Sequence, residues 1–295
     1  MNLSKLSKAI LVATATISAP AFAVPITTDI ISVVDESGSM GGEHGWLGGM
    51  ISSLDSALAV EAGTDTFSAQ YGLVGFGGAG SHLLGHAHDM DAGTAGIQEF
   101  GDAAQYATAT GSLTLSGGFE DGYSGIDTAL GYTGQANSVT NIILVTDEDR
   151  DTADNSLNYS VIDAALAGKN ALLNAVLNVR ISCQDGSSAL GMDSSGTAYK
   201  ADGSGGFSTC GSAIRGWDAG ASWNHYGDLA LATGGAVWDL SQLRAGGLTA
   251  DSFTAAFVDI KVQETIQQST VPEPASIALL GLGLAGFGAR RKFAK

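Results

Sequence analysis

Basic side chains are scarce in this sequence: 13 lysines and arginines stand against 30 aspartates and glutamates, for a formal net charge of −17. Six of the 13 lie near the ends, at Lys5, Lys8, Arg290, Arg291, Lys292 and Lys295, so the long middle is more acidic still. A chain this poor in positive charge lacks the basic face that phosphate backbones need, which argues against nucleic acid as a partner. Anionic membranes and acidic polysaccharides would also be repelled unless a divalent cation bridged the charges. Cysteine is just as sparse, with Cys183 and Cys210 the two present. Internal repeats and low-complexity segments are missing. No G-x-S-x-G elbow surrounds Ser37 or Ser39, so a serine nucleophile has no support. The acids are not accompanied by an Arg/Lys cluster or a recognisable general base, so metal-assisted phosphoester hydrolysis is the weakest reading and no enzyme is expected.

Both ends read as processing segments. Residues 1–23 carry Lys5 and Lys8, an apolar run over 9–17 and small residues at Ala21 and Ala23. That order is a secretory signal peptide with cleavage after Ala23. At the other end Pro272 and Pro274 bar a helix from running through Glu273. An apolar run over 275–289 follows, then Arg290, Arg291 and Lys292. The run falls short of the about 20 residues that cross a bilayer and predicts a short hydrophobic anchor helix with its basic cluster on the cytoplasmic side. In an exported chain Cys183 and Cys210 are expected to form a disulfide, stabilising by about 3.5 kcal/mol in the chain-entropy model.

Roughly 245 residues remain over 24–270, enough for one large α/β domain. Strand-like runs at 26–34, 67–76, 81–86, 139–146, 173–182 and 234–240 alternate with helical periods at 47–62, 92–107, 120–130, 156–171, 224–233 and 249–267. The second and third strands form a hairpin over the glycine-rich turn at 77–80. The alternation predicts a doubly wound, mostly parallel six-stranded sheet. Residues 183–221, rich in Gly, Ser and Asp, break the pattern and read as a disulfide-tied insertion.

Ligands of such sheets bind beyond strand carboxyl ends, where the strand order reverses. The first strand runs into Asp35, Ser37 and Ser39; the strand at 139–146 ends at Asp147. If the two are neighbours, two carboxylates and two hydroxyls converge. An all-oxygen donor set suits a hard cation, Mg²⁺ first. The insertion emerges on the same face and carries Tyr199, Trp217 and Trp223, either as one wall of a ligand site or as its own small core. His86 and His88 alternate at a strand end, a pair too small for zinc without a cysteine or third histidine nearby.

Two resemblances follow from these residues. Val271-Pro272-Glu273-Pro274, the apolar run and Arg290-Arg291-Lys292 resemble a PEP-CTERM sorting signal over 271–295. That resemblance implies a Gram-negative exporter that makes exopolysaccharide or biofilm, transient inner-membrane anchoring through the C-terminal helix, and processing by an exosortase. The cell surface or extracellular matrix would be the destination. Asp35-Glu36-Ser37-Gly38-Ser39 resembles the D-x-S-x-S signature of von Willebrand factor type A domains. Asp147 falls at the family's second aspartate, and Ala232-Thr233-Gly234-Gly235 resembles its turn before the last strand. The resemblance implies a Rossmann-like sheet and a metal-ion-dependent adhesion site, in which Asp35, Ser37, Ser39 and Asp147 hold a divalent cation. An unknown extracellular protein or polysaccharide would supply the last oxygen. The family's threonine position is held by Phe119, leaving Glu120 or Asp121 as substitutes, and a carboxylate there favours Ca²⁺ or Mn²⁺ over Mg²⁺. The alternative expectation is an acidic structural matrix protein whose metal site is degenerate.

Overall fold

The central strand, β1 (Ile26–Asp35), is apolar on both sides: Ile30 and Val34 bury into one core, Ile31 and Val33 into the other. A strand buried on both faces belongs in the middle of a parallel sheet. In the computed structural model, which describes residues 26–63 and 67–270, β1 pairs in parallel with β2 (Phe67–Phe76) and with β4 (Val139–Thr146). β5 (Leu172–Leu177) and β11 (Val237–Asp239) continue the parallel array, and the short β3 (His86–Ala87) closes the far edge antiparallel to β2. The strand order therefore reverses between β1 and β4, and Asp35 and Asp147 stand at that point. One face is covered by α1 (Gly41–Ala62), α2 (Ala103–Ala109) and α7 (Gly247–Thr270). The other carries α3 (Gly122–Leu130), α4 (Tyr159–Gly168) and α5 (Asp228–Ala232). A short α6 (Leu240–Arg244) follows β11 directly, capped by the Asp239 side chain on Ser241 N.

Among the described residues the main sheet has nine strands, not the six expected. The extra three come from the insertion: β7 (Gly191–Met192), β8 (Thr197–Ala201) and β9 (Phe207–Ser212) extend the sheet antiparallel beyond β11. The strand expected at 173–182 breaks after β5. Its second half, β6 (Val179–Ser182), forms a separate pair with β10 (Ile214–Asp218). The disulfide Cys183–Cys210 ties the end of β6 to β9, as expected.

The helix expected over 92–107 is limited to α2. Upstream, Asp89 accepts from Asp91 N and Gln98 N, and Asp91 from Gly93 N. Such side-chain turns compete with helical bonding. The helix begins where Asp102 and Gln105 complete a capping box. No helix among the described residues is long and apolar enough to cross a membrane. The expected signal peptide, the PEP motif residues Pro272, Glu273 and Pro274, the short anchor helix and the basic tail lie outside the described residues.

Candidate metal centre

The register of β1 against β4 brings the first oxygen cluster together. Asp35 ends β1; Thr146 ends β4 and donates to Asp35 Oδ2 at 2.9 Å. The chain then turns so that Ser37 N donates to Asp35 Oδ1 at 2.7 Å. Ser37 Oγ and Ser39 Oγ lie 3.0 Å apart, and Ser39 Oγ donates to Asp147 Oδ1 at 3.0 Å. Glu120, in the turn before α3, completes the group: carboxylate oxygens of Asp35, Glu120 and Asp147 all lie within 4.8 Å of one another, with all three residues buried. Gly77 lets β2 pass beside them. Its φ is +79°, and a Cβ there would sit 2.9 Å from Asp35 Oδ1.

The electrostatics of this cluster fit a cation. Burial raises the Asp35 carboxyl above its ordinary range. Burial, then the facing Asp35, pushes Glu120 up to about 9. Two buried acids that resist joint ionisation lack compensating positive charge. Glu120 Oε2 is buried with no hydrogen-bond partner. Without a proton shared with Asp35 this oxygen is a buried acceptor with no donor, which is costly, and a divalent cation among these oxygens would satisfy it.

Asp121 does not join the group, correcting one of the two expected substitutes. Its carboxylate is held by Arg150, with Nη2 donating at 2.9 Å, and accepts from Ala153 N and Asp154 N. Phe119, at the position where the resemblance expects a threonine, is 46% exposed. Arg244, unmarked by any motif, also reaches this group. From the end of α6 its Nη2 donates to Asp147 Oδ2 at 2.9 Å, while Nε pairs with the buried Glu43 of α1. A lone arginine 97 residues beyond Asp147 carries no local signal of this contact.

The three aromatics do not form one wall, and Trp223 opens the helical turn just beyond the 183–221 segment. Tyr199 is buried in the α1/α7 core, stacked on Trp238, with its hydroxyl donating to Asp193 Oδ2 at 2.6 Å. Trp223 is buried in the opposite core beneath the Arg215 guanidinium. Trp217 alone of the three is open, 63% exposed. It lines a cavity of about 430 Å³ with Arg180, Asp239 and Gln242.

A second cluster lies on the other side of the β1 end. Glu36, with a fully buried side chain, gathers His82, His86 and His88 within ligand range. The hairpin explains the geometry: β3 pairs antiparallel with β2, so His86 and His88 stand on alternate positions. The preceding turn returns His82, through Gly78 N to His82 O at 2.9 Å, over the same spot. His86 and His88 are thus not an isolated pair. Their completing residues are four positions upstream and fifty in front. Burial pushes the Glu36 carboxyl up, but the facing imidazoles of His86 and His88, the Thr114 N–H and His82 outweigh it and hold the group well below the carboxylate range.

A profile of the PEP-CTERM protein-sorting motif matches residues 270–292. The motif indicates export with membrane-associated processing by an exosortase. A search of curated protein sequences returns no match. Solved structures with similarity include a von Willebrand factor type A protein from Catenulispora acidiphila, at 16% identity over 52% of this chain and 33% of that one, TM-score 0.34. Others are proximal thread matrix protein 1 from the mussel byssus, at 14% over 52% and 38%, TM-score 0.38, and the pilus adhesin SpaC from Lactobacillus rhamnosus GG, at 15% over 51% and 24%, TM-score 0.36. This chain thus covers less than two fifths of each of those structures.

Proposed function

We propose that the chain is an exported binding protein whose ligand is captured through a divalent cation held by Asp35, Ser37, Ser39, Glu120 and Asp147. The observation carrying this reading is the buried, unpartnered Glu120 Oε2 opposite Asp35. The donors are all oxygen, which selects a hard ion such as Mg²⁺, and the third carboxylate widens the choice to Ca²⁺ or Mn²⁺. When bound, the cation supplies positive charge and a coordination position for one more oxygen. Asp35, Glu120 and Asp147 would hold the ion, with the two serine hydroxyls completing the cradle and Asp147 also orienting Ser39. The partner's oxygen would come from an acidic polysaccharide or a protein carboxylate at the cell surface or in an extracellular matrix. This is the way a chain of net charge −17 can engage an anionic partner. These groups bind rather than turn over a substrate, so the proposed activity is adhesion.

A second reading has its own observation. Arg244 already places a positive group on Asp147, which suits a matrix protein that uses this cluster for folding alone. Calorimetric titration of Mg²⁺, Mn²⁺ and Ca²⁺ into the full chain separates the two. Saturable one-site binding, lost in Asp35→Ala and Asp147→Ala, supports adhesion. Absence of binding, or equal binding by all three proteins, overturns it in favour of the structural role.

A further inference from the structure

We propose that Glu36, His82, His86 and His88 hold a second metal ion, a zinc-class divalent cation, which staples the β2–β3 hairpin to the end of β1.

The hydrogen-bond accounts of the imidazoles carry the argument. Ser112 Oγ gives its one proton to Ala109 O, at 2.6 Å, so it can only accept from His88 Nδ1, 2.7 Å away. His88 Nδ1 therefore bears hydrogen, and the neutral ring presents a bare Nε2. His86 Nδ1 lies 3.0 Å from Leu84 O, which can only accept, so Nδ1 bears hydrogen and Nε2 is bare in the neutral ring. Both Nε2 atoms are buried without a hydrogen-bond partner, and the His88 side chain is 95% buried. They face Glu36 oxygens at 3.1 Å and 3.4 Å, and His82 Nδ1 faces Oε2 at 2.8 Å. In the neutral rings the His86 and His88 lone pairs repel the carboxylate they face; a proton, which Glu36 favours on His86, or one metal ion shared by all four side chains relieves that repulsion.

The dimensions suit an ion there. Tetrahedral zinc with bonds of 2.0–2.1 Å separates neighbouring ligand atoms by about 3.3 Å, within the observed 2.8–3.4 Å. Each ring's other nitrogen is anchored, His86 on a backbone carbonyl and His88 on a hydroxyl, which is the outer-shell pattern that orients histidine ligands. Space is kept open by Gly75, where a Cβ would fall 2.5 Å from Glu36 Oε2 and 2.7 Å from His88 Nε2. Three imidazoles and one carboxylate favour zinc or a like ion over Mg²⁺, in contrast to the all-oxygen cluster beside it. Four protein ligands leave no open position, so the ion is structural. It has work to do: β3 has two residues and two paired positions, too few to hold an edge on backbone bonds alone.

The test is titration of metal-stripped full chain with Co²⁺ in excess Mg²⁺. One equivalent should develop the intense visible bands of a four-coordinate centre, displaced by one equivalent of Zn²⁺. Zinc at a hundred times its Kd should raise Tm by about 5–10 °C. His86→Gln and His82→Gln, at partly exposed positions, should lose the bands while retaining the far-ultraviolet circular dichroism of the parent. Asp147→Ala should keep them, which separates this site from the adhesion cluster. Missing bands in the parent, bands undiminished in both histidine variants, or bands lost in Asp147→Ala would each overturn the proposal.

Discussion

Asp35 and Glu36 are consecutive in the chain, yet their carboxylates serve different clusters, one all oxygen and one rich in imidazole. The strand-end geometry makes this unavoidable. Successive side chains leave a strand on opposite sides, so Asp35 meets Glu120 and the serine turn while Glu36 meets the β2–β3 hairpin. Glu36 N is pinned to Phe76 O at 2.7 Å, which locks the pair in register with β2. Anything that moves this dipeptide moves both sites.

Two glycines of β2 and its turn allow the sites to be perturbed separately. Gly75→Ala drives a methyl into the space between Glu36 and His88, while Gly77→Ala, at φ +79°, drives one toward Asp35 Oδ1. Each should cost about 1–3 kcal/mol in denaturant unfolding. Gly75→Ala should abolish Co²⁺ binding and leave Ca²⁺ or Mg²⁺ binding within about threefold; Gly77→Ala should do the reverse. Equal loss of both ions in both variants would show that the two clusters are one site.

Arg244 joins the buried Glu43 to Asp147. Arg244→Gln leaves Glu43 buried without its partner and should cost about 3 kcal/mol. It also removes a positive charge beside the proposed cation, which should tighten cation binding about tenfold. Glu43→Gln combined with Arg244→Gln should restore most of the stability and keep the tighter binding. Calorimetry on the two variants and the parent checks this; weaker cation binding in the double variant would mean that Arg244 builds the cluster rather than opposing the ion.

The central strands were legible because they are apolar on both faces and stop abruptly at acids: Asp35 after β1, Asp147 after β4. Neighbouring placement of those two ends follows from doubly wound topology, and so did the convergence with Ser37 and Ser39. Glu120 was legible as one of two candidates, and only the Arg150 contact with Asp121 decides between them. The histidine cluster was hidden for a different reason. Alternation in a strand reveals His86 and His88, but His82 arrives through a turn, and Glu36 sits at the unspecified position of D-x-S-x-S. The small strands of the insertion escaped because their register rests on Asp-led turns such as Asp193–Thr197 N and Asp202–Ser204 N, not on apolar periodicity.

Asp239 provides a pH signature away from both clusters. It caps α6 at the end of β11 and is 3% exposed. Burial raises its carboxyl to about 6, against opposing hydrogen bonds from Ser241 and Gln242. Above pH 6 both folded and unfolded forms are ionised, and the burial penalty is fully present. Between pH 6 and the unfolded value of 3.8 the folded form takes the proton first, so this group adds stability on acidification, on the order of 2 kcal/mol across the window. Asp239→Asn keeps an accepting oxygen for Ser241 N and should be more stable than the parent at pH 7, with the difference vanishing near pH 4. A constant difference across that range would assign the effect to packing instead.

Tyr199, Trp217 and Trp223 divide by burial, and substitution should follow that division. Tyr199→Ala removes a ring stacked on Trp238 and a hydroxyl bonded to Asp193; Trp223→Ala opens the opposite core. Each should cost about 3–5 kcal/mol, and any loss of ligand capture should then track the unfolded fraction. Trp217→Ala touches an exposed side chain and should change stability by less than about 0.5 kcal/mol. Its ring borders the cavity with Arg180, Asp239 and Gln242, and α6 connects that cavity to Arg244 and Asp147. A flat aromatic face beside polar groups is a surface on which sugar rings stack. Binding of Trp217→Ala to an acidic polysaccharide in the presence of Ca²⁺ should therefore fall about tenfold with Tm unchanged. Unchanged binding would confine recognition to the cation and its immediate oxygens, and would leave the insertion the role of extending and bracing the sheet edge.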